Sequence, residues 1–86
     1  MVSQTVTFQC DEAIQMKAVA ILIQKASAFK SSIYLNRGGR RANAKSLLGV
    51  MSLGIENDAE IEISADGEDQ DEALATLTEY LKNPKI

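Results

Sequence analysis

Histidine is absent from this chain of 86 residues, which also has one cysteine, one proline and no tryptophan. Histidine is the commonest metal ligand and the usual acid–base group near neutral pH. The single Cys10 can form neither an internal disulfide nor a zinc site. The sequence also lacks a phosphate-binding GxxxxGK[ST] loop and any pairing of serine or cysteine with histidine for nucleophilic catalysis. These absences predict a protein that is not an enzyme and holds no metal or cofactor.

Long apolar runs are absent as well. The longest run, from Ala18 to Ile23, is far shorter than the roughly 20 residues that a membrane span needs. The first residues lack the basic start and apolar stretch of a signal peptide, and one free thiol fits a reducing compartment. We therefore expect a single cytoplasmic domain, residues 1–86, with a thin core and no membrane partner.

Acidic residues are missing between Glu12 and Glu56, where the chain carries seven basic residues. Residues 56–86 carry ten acidic residues and two basic ones, and the net charge is -3. This division has two interpretations: two solvated faces that attract each other, or a positive face that receives a phosphate or an acidic partner. Two tyrosines and two phenylalanines are too few for stacking platforms, so nucleic acid is not a predicted partner.

The hydrophobic pattern predicts the element order βαββαβα. Alternation of period two predicts strands at residues 2–8, 32–35 and 59–65. The turn sequence Asn36-Arg37-Gly38-Gly39 predicts a hairpin that continues into a strand at residues 40–44. Apolar residues at helical spacing predict helices at residues 16–29, 47–53 and from 69 to just before Pro84. Residues 9–15 are predicted to form a loop. The expected fold class is α+β, with a four-stranded antiparallel sheet covered on one face by three helices.

Turn and cap residues support the two later helices. Ser46 is predicted to cap the start of the second helix, and Gly54 to end it with Ile55 in the apolar contact of a Schellman motif. Asp69 followed by Glu72 resembles a capping box at the start of the third helix.

One segment has a recognisable sequence. Residues Asn43 to Ile55, together with Gly67-Glu68-Asp69 before the last helix, closely resemble the HPr family of the bacterial sugar phosphotransferase system. The resemblance covers the whole chain in length and element order, and it implies an HPr-like open-faced β-sandwich.

The family's phosphocarrier site is altered in this chain. The family carries a phosphoryl group on a histidine inside a Gly-[Ile/Leu]-His-Ala-Arg-Pro-Ala motif, and the corresponding residues here run from Ala13 to Val19. Gln15 stands at the histidine position, and its amide has no basic nitrogen that could accept a phosphoryl group. Lys17 replaces the arginine and Ala18 the proline. We therefore expect no carrier reaction.

The resemblance implies a regulatory role for Ser46. In glutamine-bearing relatives from bacilli this serine is phosphorylated by the ATP-dependent HPr kinase/phosphorylase. The phosphorylated domain then acts as corepressor for the LacI-type regulator catabolite control protein A in carbon catabolite repression. Basic residues expected beside the phosphate are Arg40, Arg41 and Lys45, and Lys17 is a further candidate.

The family also implies a partner-binding surface on the first two helices. The predicted residues are Lys17, Ala20, Gln24, Leu47, Leu48 and Met51, whereas Val50 and Leu53 are assigned to the core. From the residues alone, Ser46 is simply a helix cap and Leu47 and Met51 are ordinary core.

Other interpretations stay open. The chain could carry phosphate on another nucleophile, or bind and regulate a metabolic enzyme without being phosphorylated. An exposed sheet edge would permit a domain-swapped dimer through the first strand. Cys10 is predicted to be inert.

Overall fold

A computed structural model describes residues 1–84 of the chain. Within them, the strands β1 to β4 span Val2–Thr7, Ser32–Arg37, Arg40–Asn43 and Glu60–Asp66. The helices α1 to α3 span Gln15–Ser27, Leu47–Ser52 and Gln70–Lys82. The strands form one sheet in the order β1-β4-β2-β3, and every neighbouring pair is antiparallel. The predicted order βαββαβα is confirmed.

The two faces of the sheet differ in the way that the alternation predicts. In the central strand β4, Ile61 and Ile63 are fully buried beneath the helices, whereas Glu60 and Glu62 lie on the exposed face. The same core contains Leu35 from β2 and residues from all three helices. The predicted α+β fold, an antiparallel sheet covered by helices on one face, is therefore confirmed.

The first helix begins earlier than predicted. A 3-10 turn, Glu12–Ile14, occupies part of the predicted loop at residues 9–15, and Gln15 already belongs to α1. The turn is held locally, because the carboxylate of Asp11 accepts a hydrogen bond of 3.1 Å from the Ala13 backbone amide. Ile14, at the N-cap, makes no side-chain capping bond, so the usual sequence signal for a helix start is missing.

The second helix has the predicted ends. The Ser46 hydroxyl accepts a hydrogen bond of 3.2 Å from the Gly49 backbone amide, as an N-cap residue does. Gly54 follows the helix with a φ of +67° and donates its backbone amide to Met51. Glycine adopts this left-handed conformation without steric cost, and Ile55 is buried beyond it.

The predicted capping box at the third helix is wrong. Asp69 makes no side-chain capping bond to α3. Its carboxylate instead accepts hydrogen bonds from the backbone amides of Lys30 and Ser31, both at 2.9 Å, and from the Ser31 hydroxyl at 2.5 Å. These bonds lower the pKa of Asp69 from its usual 3.8 to about 2, with the Ser31 hydroxyl as the largest cause. Asp69 thus connects the start of α3 to the turn before β2.

None of the helices within residues 1–84 combines the length and apolar character needed to cross a membrane.

Candidate functional site

The candidate site lies where α1 and α2 pack against each other in opposite directions. At one end, the side-chain amide of Gln15, at the start of α1, donates to the Ile55 carbonyl just after α2. At the other end, the ammonium group of Lys45, just before α2, donates to the Phe29 carbonyl just after α1. Residues at the start of α1 therefore neighbour the end of α2.

Gln15 is fixed in this arrangement. Its Nε2 lies 2.6 Å from the Ile55 carbonyl oxygen, and its side chain is half-buried. The amide is neutral and has no basic nitrogen, so the residue can donate and accept hydrogen bonds but cannot carry a phosphoryl group near neutral pH.

Arg37 holds the backbone segment that follows α2. Its guanidinium donates to the carbonyls of Leu53 and Gly54, at 3.1 Å and 2.6 Å. It also forms an ion pair of 3.2 Å with the carboxylate of Glu56. One planar side chain thereby fixes two carbonyls and one carboxylate beside Ile55, the residue that accepts from Gln15.

A groove of about 200 Å³ opens between the first turn of α1 and the end of α2. Its walls are mainly apolar, and Gln15 and Glu56 supply the polar side chains. The lining residues are Gln15, Met16, Val19, Val50, Met51, Gly54, Ile55 and Glu56.

Large apolar side chains are exposed along α2, from its start to the groove at its end. Leu48 is 82% exposed, Leu47 51% and Met51 47%, although Val50 in the same short helix is fully buried. Met16 on α1, 61% exposed, extends the surface across the groove. The assignment of Val50 and Leu53 to the core is confirmed, and Leu47 and Met51 are exposed as the family resemblance implies, not buried as the residues alone suggest. We call Met16, Leu47, Leu48 and Met51 the apolar patch.

Three exposed residues of α1 extend the exposed surface beyond the apolar patch. Lys17, Ala20 and Gln24 are all solvent-exposed, as predicted for a partner-binding surface. Lys17 leaves α1 about 200° around the helix axis from Gln15, because successive residues turn by about 100°. Its ammonium group therefore extends from the outer side of α1 and is not part of the groove lining.

Ser46 lies at the opposite end of α2 from the groove. Its side chain is half-buried, and the hydroxyl oxygen is engaged only with the Gly49 amide among the described residues. A Cβ atom at position 49 would lie 3.4 Å from the Ser46 hydroxyl oxygen and 3.5 Å from Ala42. Glycine at position 49 therefore leaves room around the serine.

The structure corrects the predicted set of basic neighbours. Lys45 lies beside Ser46, although its ammonium bonds the Phe29 carbonyl at 2.7 Å. Arg40 instead donates to the Ser52 carbonyl at 3.3 Å, about 9 Å along α2 from the N-cap by the rise of 1.5 Å per residue. Arg41 lies 3.9 Å from the centre of the Tyr34 ring.

Strand geometry explains the position of Arg41. Neighbouring residues of a strand face opposite sides of the sheet. Ala42 faces α2, so Arg41 projects from the open face, where its register partner is Asn36. Neither Arg40 nor Arg41 adjoins Ser46 in this structure. Lys17 is also distant, because it belongs to the end of α1 that packs against the C-terminal end of α2.

Cys10 is buried in the loop after β1. Burial raises the pKa of its thiol, and the neighbouring Asp11 carboxylate raises it further. Both effects disfavour the reactive thiolate.

Sequence reasoning missed Arg37, Glu56 and Met16 as members of this site. Arg37 and Glu56 are 19 residues apart, and their pairing depends on how β2 packs beside the end of α2. Glu56 does have one sequence signal, since it ends the long stretch without acidic residues.

The open-faced sandwich, with its glutamine at the start of α1 and its serine cap on α2, defines a small domain of the phosphocarrier type without a phosphorylatable histidine. The sequence profile described as the PTS HPr component phosphorylation site matches residues 2–83. The chain belongs to the HPr family.

The chain is similar to several characterised members. It is 37% identical over 82 residues to the HPr-like protein Crh of Bacillus subtilis strain 168, an alignment that covers 95% of this chain and 96% of Crh. A crystal structure of HPr from Bacillus anthracis strain Ames superposes with a TM-score of 0.88 and 34% identity, covering 93% and 95% of the two chains. A crystal structure of Bacillus subtilis Crh, described as a dimer with a swapped domain, gives a TM-score of 0.75 and 32% identity over 100% and 99%.

Proposed function

We propose that this chain is a non-carrier regulatory protein of the cytoplasm that is phosphorylated on Ser46 by HPr kinase/phosphorylase. In this proposal it is not an enzyme. Its phosphorylated form acts as a corepressor with the LacI-type catabolite control protein A in carbon catabolite repression. The observation that carries the proposal is the combination of Gln15 at the carrier position with a serine cap beside an exposed apolar patch. The similarity to Crh supports the same role.

A phosphate on Ser46 would change the surface more than the fold. It adds about -1.5 to -2 charges and three strong acceptor oxygens. The hydroxyl makes one hydrogen bond to α2, and Lys45 is the adjacent basic residue. The fold should therefore persist. The partner protein should recognise the phosphorylated chain by the new negative charge at the start of α2.

The apolar patch supplies the second half of the recognition. Leu47 and Met51 are four residues apart on α2, so they lie on one side of the helix. An arginine of the partner can bond the phosphate with two parallel hydrogen bonds, while the patch provides contact area and adaptable methionine side chains. Partner binding then requires both the phosphate and the patch.

The experiment is a binding titration with purified catabolite control protein A. Kinase-treated and untreated chain are compared by fluorescence anisotropy. We expect binding of the phosphorylated chain to be at least tenfold tighter, about 1.4 kcal/mol. Ser46→Ala should lose this gain and also lose about 1 kcal/mol of stability with its cap. Ser52→Ala, at the exposed end of the same helix, is the matched control.

Equal binding by treated and untreated chain would contradict the proposal. Binding of a metabolic enzyme by the unmodified chain would favour the alternative role, a degenerate HPr-like domain that acts without phosphorylation. The apolar patch is already exposed in the unmodified chain, so that outcome has a structural basis.

We also propose that the chain can dimerise by exchanging β1. Within the described residues β1 pairs only with β4, which makes it an edge strand. Its sequence, from Val2 to Thr7, contains neither proline nor charge, the residues that commonly protect an edge. Size-exclusion chromatography with light scattering should show a dimer at high concentration. A monomer at every concentration tested would oppose this proposal.

A further inference from the structure

The groove between α1 and α2 is lined by a carboxylate and lacks the basic side chains of a phosphate-binding site. Glu56 is the only charged residue among those that line it within residues 1–84. Met16, Val19 and Met51 are among its apolar lining residues. An anion entering the groove would meet a carboxylate, whereas a cation on a long aliphatic stem would meet complementary groups at both ends.

The carboxylate of Glu56 is oriented by the fold. Arg37 bonds its Oε1 and is itself held by two backbone carbonyls. Arg37 does not line the groove. The other oxygen, Oε2, has no hydrogen-bond partner among residues 1–84, and the side chain is exposed. One carboxylate oxygen is thereby left for a ligand.

Gln15 provides a second acceptor. Its Nε2 donates to the Ile55 carbonyl, so its amide oxygen is the remaining polar atom of a side chain that lines the groove. Lys17, on the outer side of α1, supplies no cation to the lining.

We propose that the groove receives an arginine side chain of the partner protein, with its aliphatic stem between Met16 and Met51 and its guanidinium against Glu56 and Gln15. A guanidinium presents its N–H donors in one rigid plane and is more weakly hydrated than a lysine ammonium, so it enters a partly apolar groove at a lower desolvation cost. Its methylene stem packs on apolar surface while the charged head stays polar. This inference rests on the proposed function, because it assigns the chemistry of the partner at the same surface.

The test uses the unmodified chain with methyl-labelled methionine and two small probes. Titration with n-butylguanidinium should give saturable NMR shifts at the methyl groups of Met16 and Met51. Met1, which precedes β1 and does not line the groove, serves as the internal reference and should not respond. Titration with n-butyl phosphate should leave the methyl groups of Met16 and Met51 unchanged.

Two variants with the same change in charge complete the test. Glu56→Gln should weaken n-butylguanidinium binding about two- to fivefold, the range expected for an exposed ion pair. Glu60→Gln, on the exposed face of the sheet, should bind like the parent chain. The dispersion of the three methyl signals shows whether each variant is folded.

The inference is overturned if n-butylguanidinium causes no shift at Met16 and Met51, if both variants bind it equally, or if n-butyl phosphate shifts the same methyl groups. The titration needs neither kinase nor phosphate on Ser46. Failure of n-butylguanidinium binding and failure of Ser46 phosphorylation are therefore distinguishable outcomes, because each is measured without the other.

Discussion

Because α2 has a buried and an exposed side, substitutions only two residues apart should affect different properties, one the stability of the fold and the other partner binding. Val50 is fully buried, whereas Leu48 is 82% exposed. Val50→Ala removes two buried methyl groups, at about 0.8 kcal/mol each, and leaves a small cavity that adds to the cost. We expect a loss of about 2 kcal/mol in the free energy of unfolding. Leu48→Ala should change it by less than about 0.5 kcal/mol.

Thermal unfolding followed by circular dichroism measures the first effect. For a chain of this size, about 2 kcal/mol corresponds to a fall in Tm of roughly 10 °C. The effect of Leu48→Ala on partner binding is measured as the affinity of the phosphorylated variant for catabolite control protein A. Leu48→Ala should bind about 5- to 30-fold more weakly, as expected when a contact worth about 1–2 kcal/mol is removed.

Two results would contradict the separate roles of Val50 and Leu48. If Leu48→Ala lowers Tm as much as Val50→Ala, the exposed position contributes to folding and the patch is not free for a partner. If Leu48→Ala folds normally and binds with unchanged affinity, Leu48 is not part of the interface.

Other predictions concern the turn before β2 and the carrier position. Because the folded pKa of Asp69 is lowered to about 2, its stabilisation is present above about pH 4 and is lost as pH falls toward 2; acid titration of unfolding should show this fall, and Asp69→Asn should flatten it. Gly67→Ala should cost about 1–3 kcal/mol of stability in urea denaturation, because its φ is +155° and the added Cβ would lie 2.7 Å from the Ser31 Cα. Gly38→Ala, with open space around it, should avoid the clash but retain the positive-φ strain. Incubation with enzyme I and phosphoenolpyruvate should yield no acid-labile phosphoprotein, and detection of one would contradict the interpretation of Gln15.

The fold could be predicted because local pattern and core packing agree along most of the chain. Alternation in β4 places Ile61 and Ile63 in the core and Glu62 on the open face without any long-range information. The helix cap at Ser46 and the left-handed conformation of Gly54 can also be predicted from the sequence, because both depend on hydrogen bonds to nearby residues.

The unpredicted features depend on contacts between distant residues. Asp69 has the sequence context of a capping residue, but its partners lie 38 and 39 residues earlier, and three bonds from that turn replace the cap. Arg41 is close to Ser46 in sequence, but the pleat of β3 directs Ala42 toward α2 and Arg41 to the open face of the sheet. The start of α1 was missed because Ile14 provides no side-chain cap.

We propose Ser46 as the regulatory phosphorylation site of a chain without carrier chemistry. Incubation with HPr kinase/phosphorylase and ATP, followed by intact-mass and peptide analysis, is the decisive measurement. We expect one phosphate per chain on Ser46, none on Ser46→Ala and normal phosphorylation of Ser52→Ala. Absence of phosphate from the parent chain, or its location on another residue, would contradict the claim.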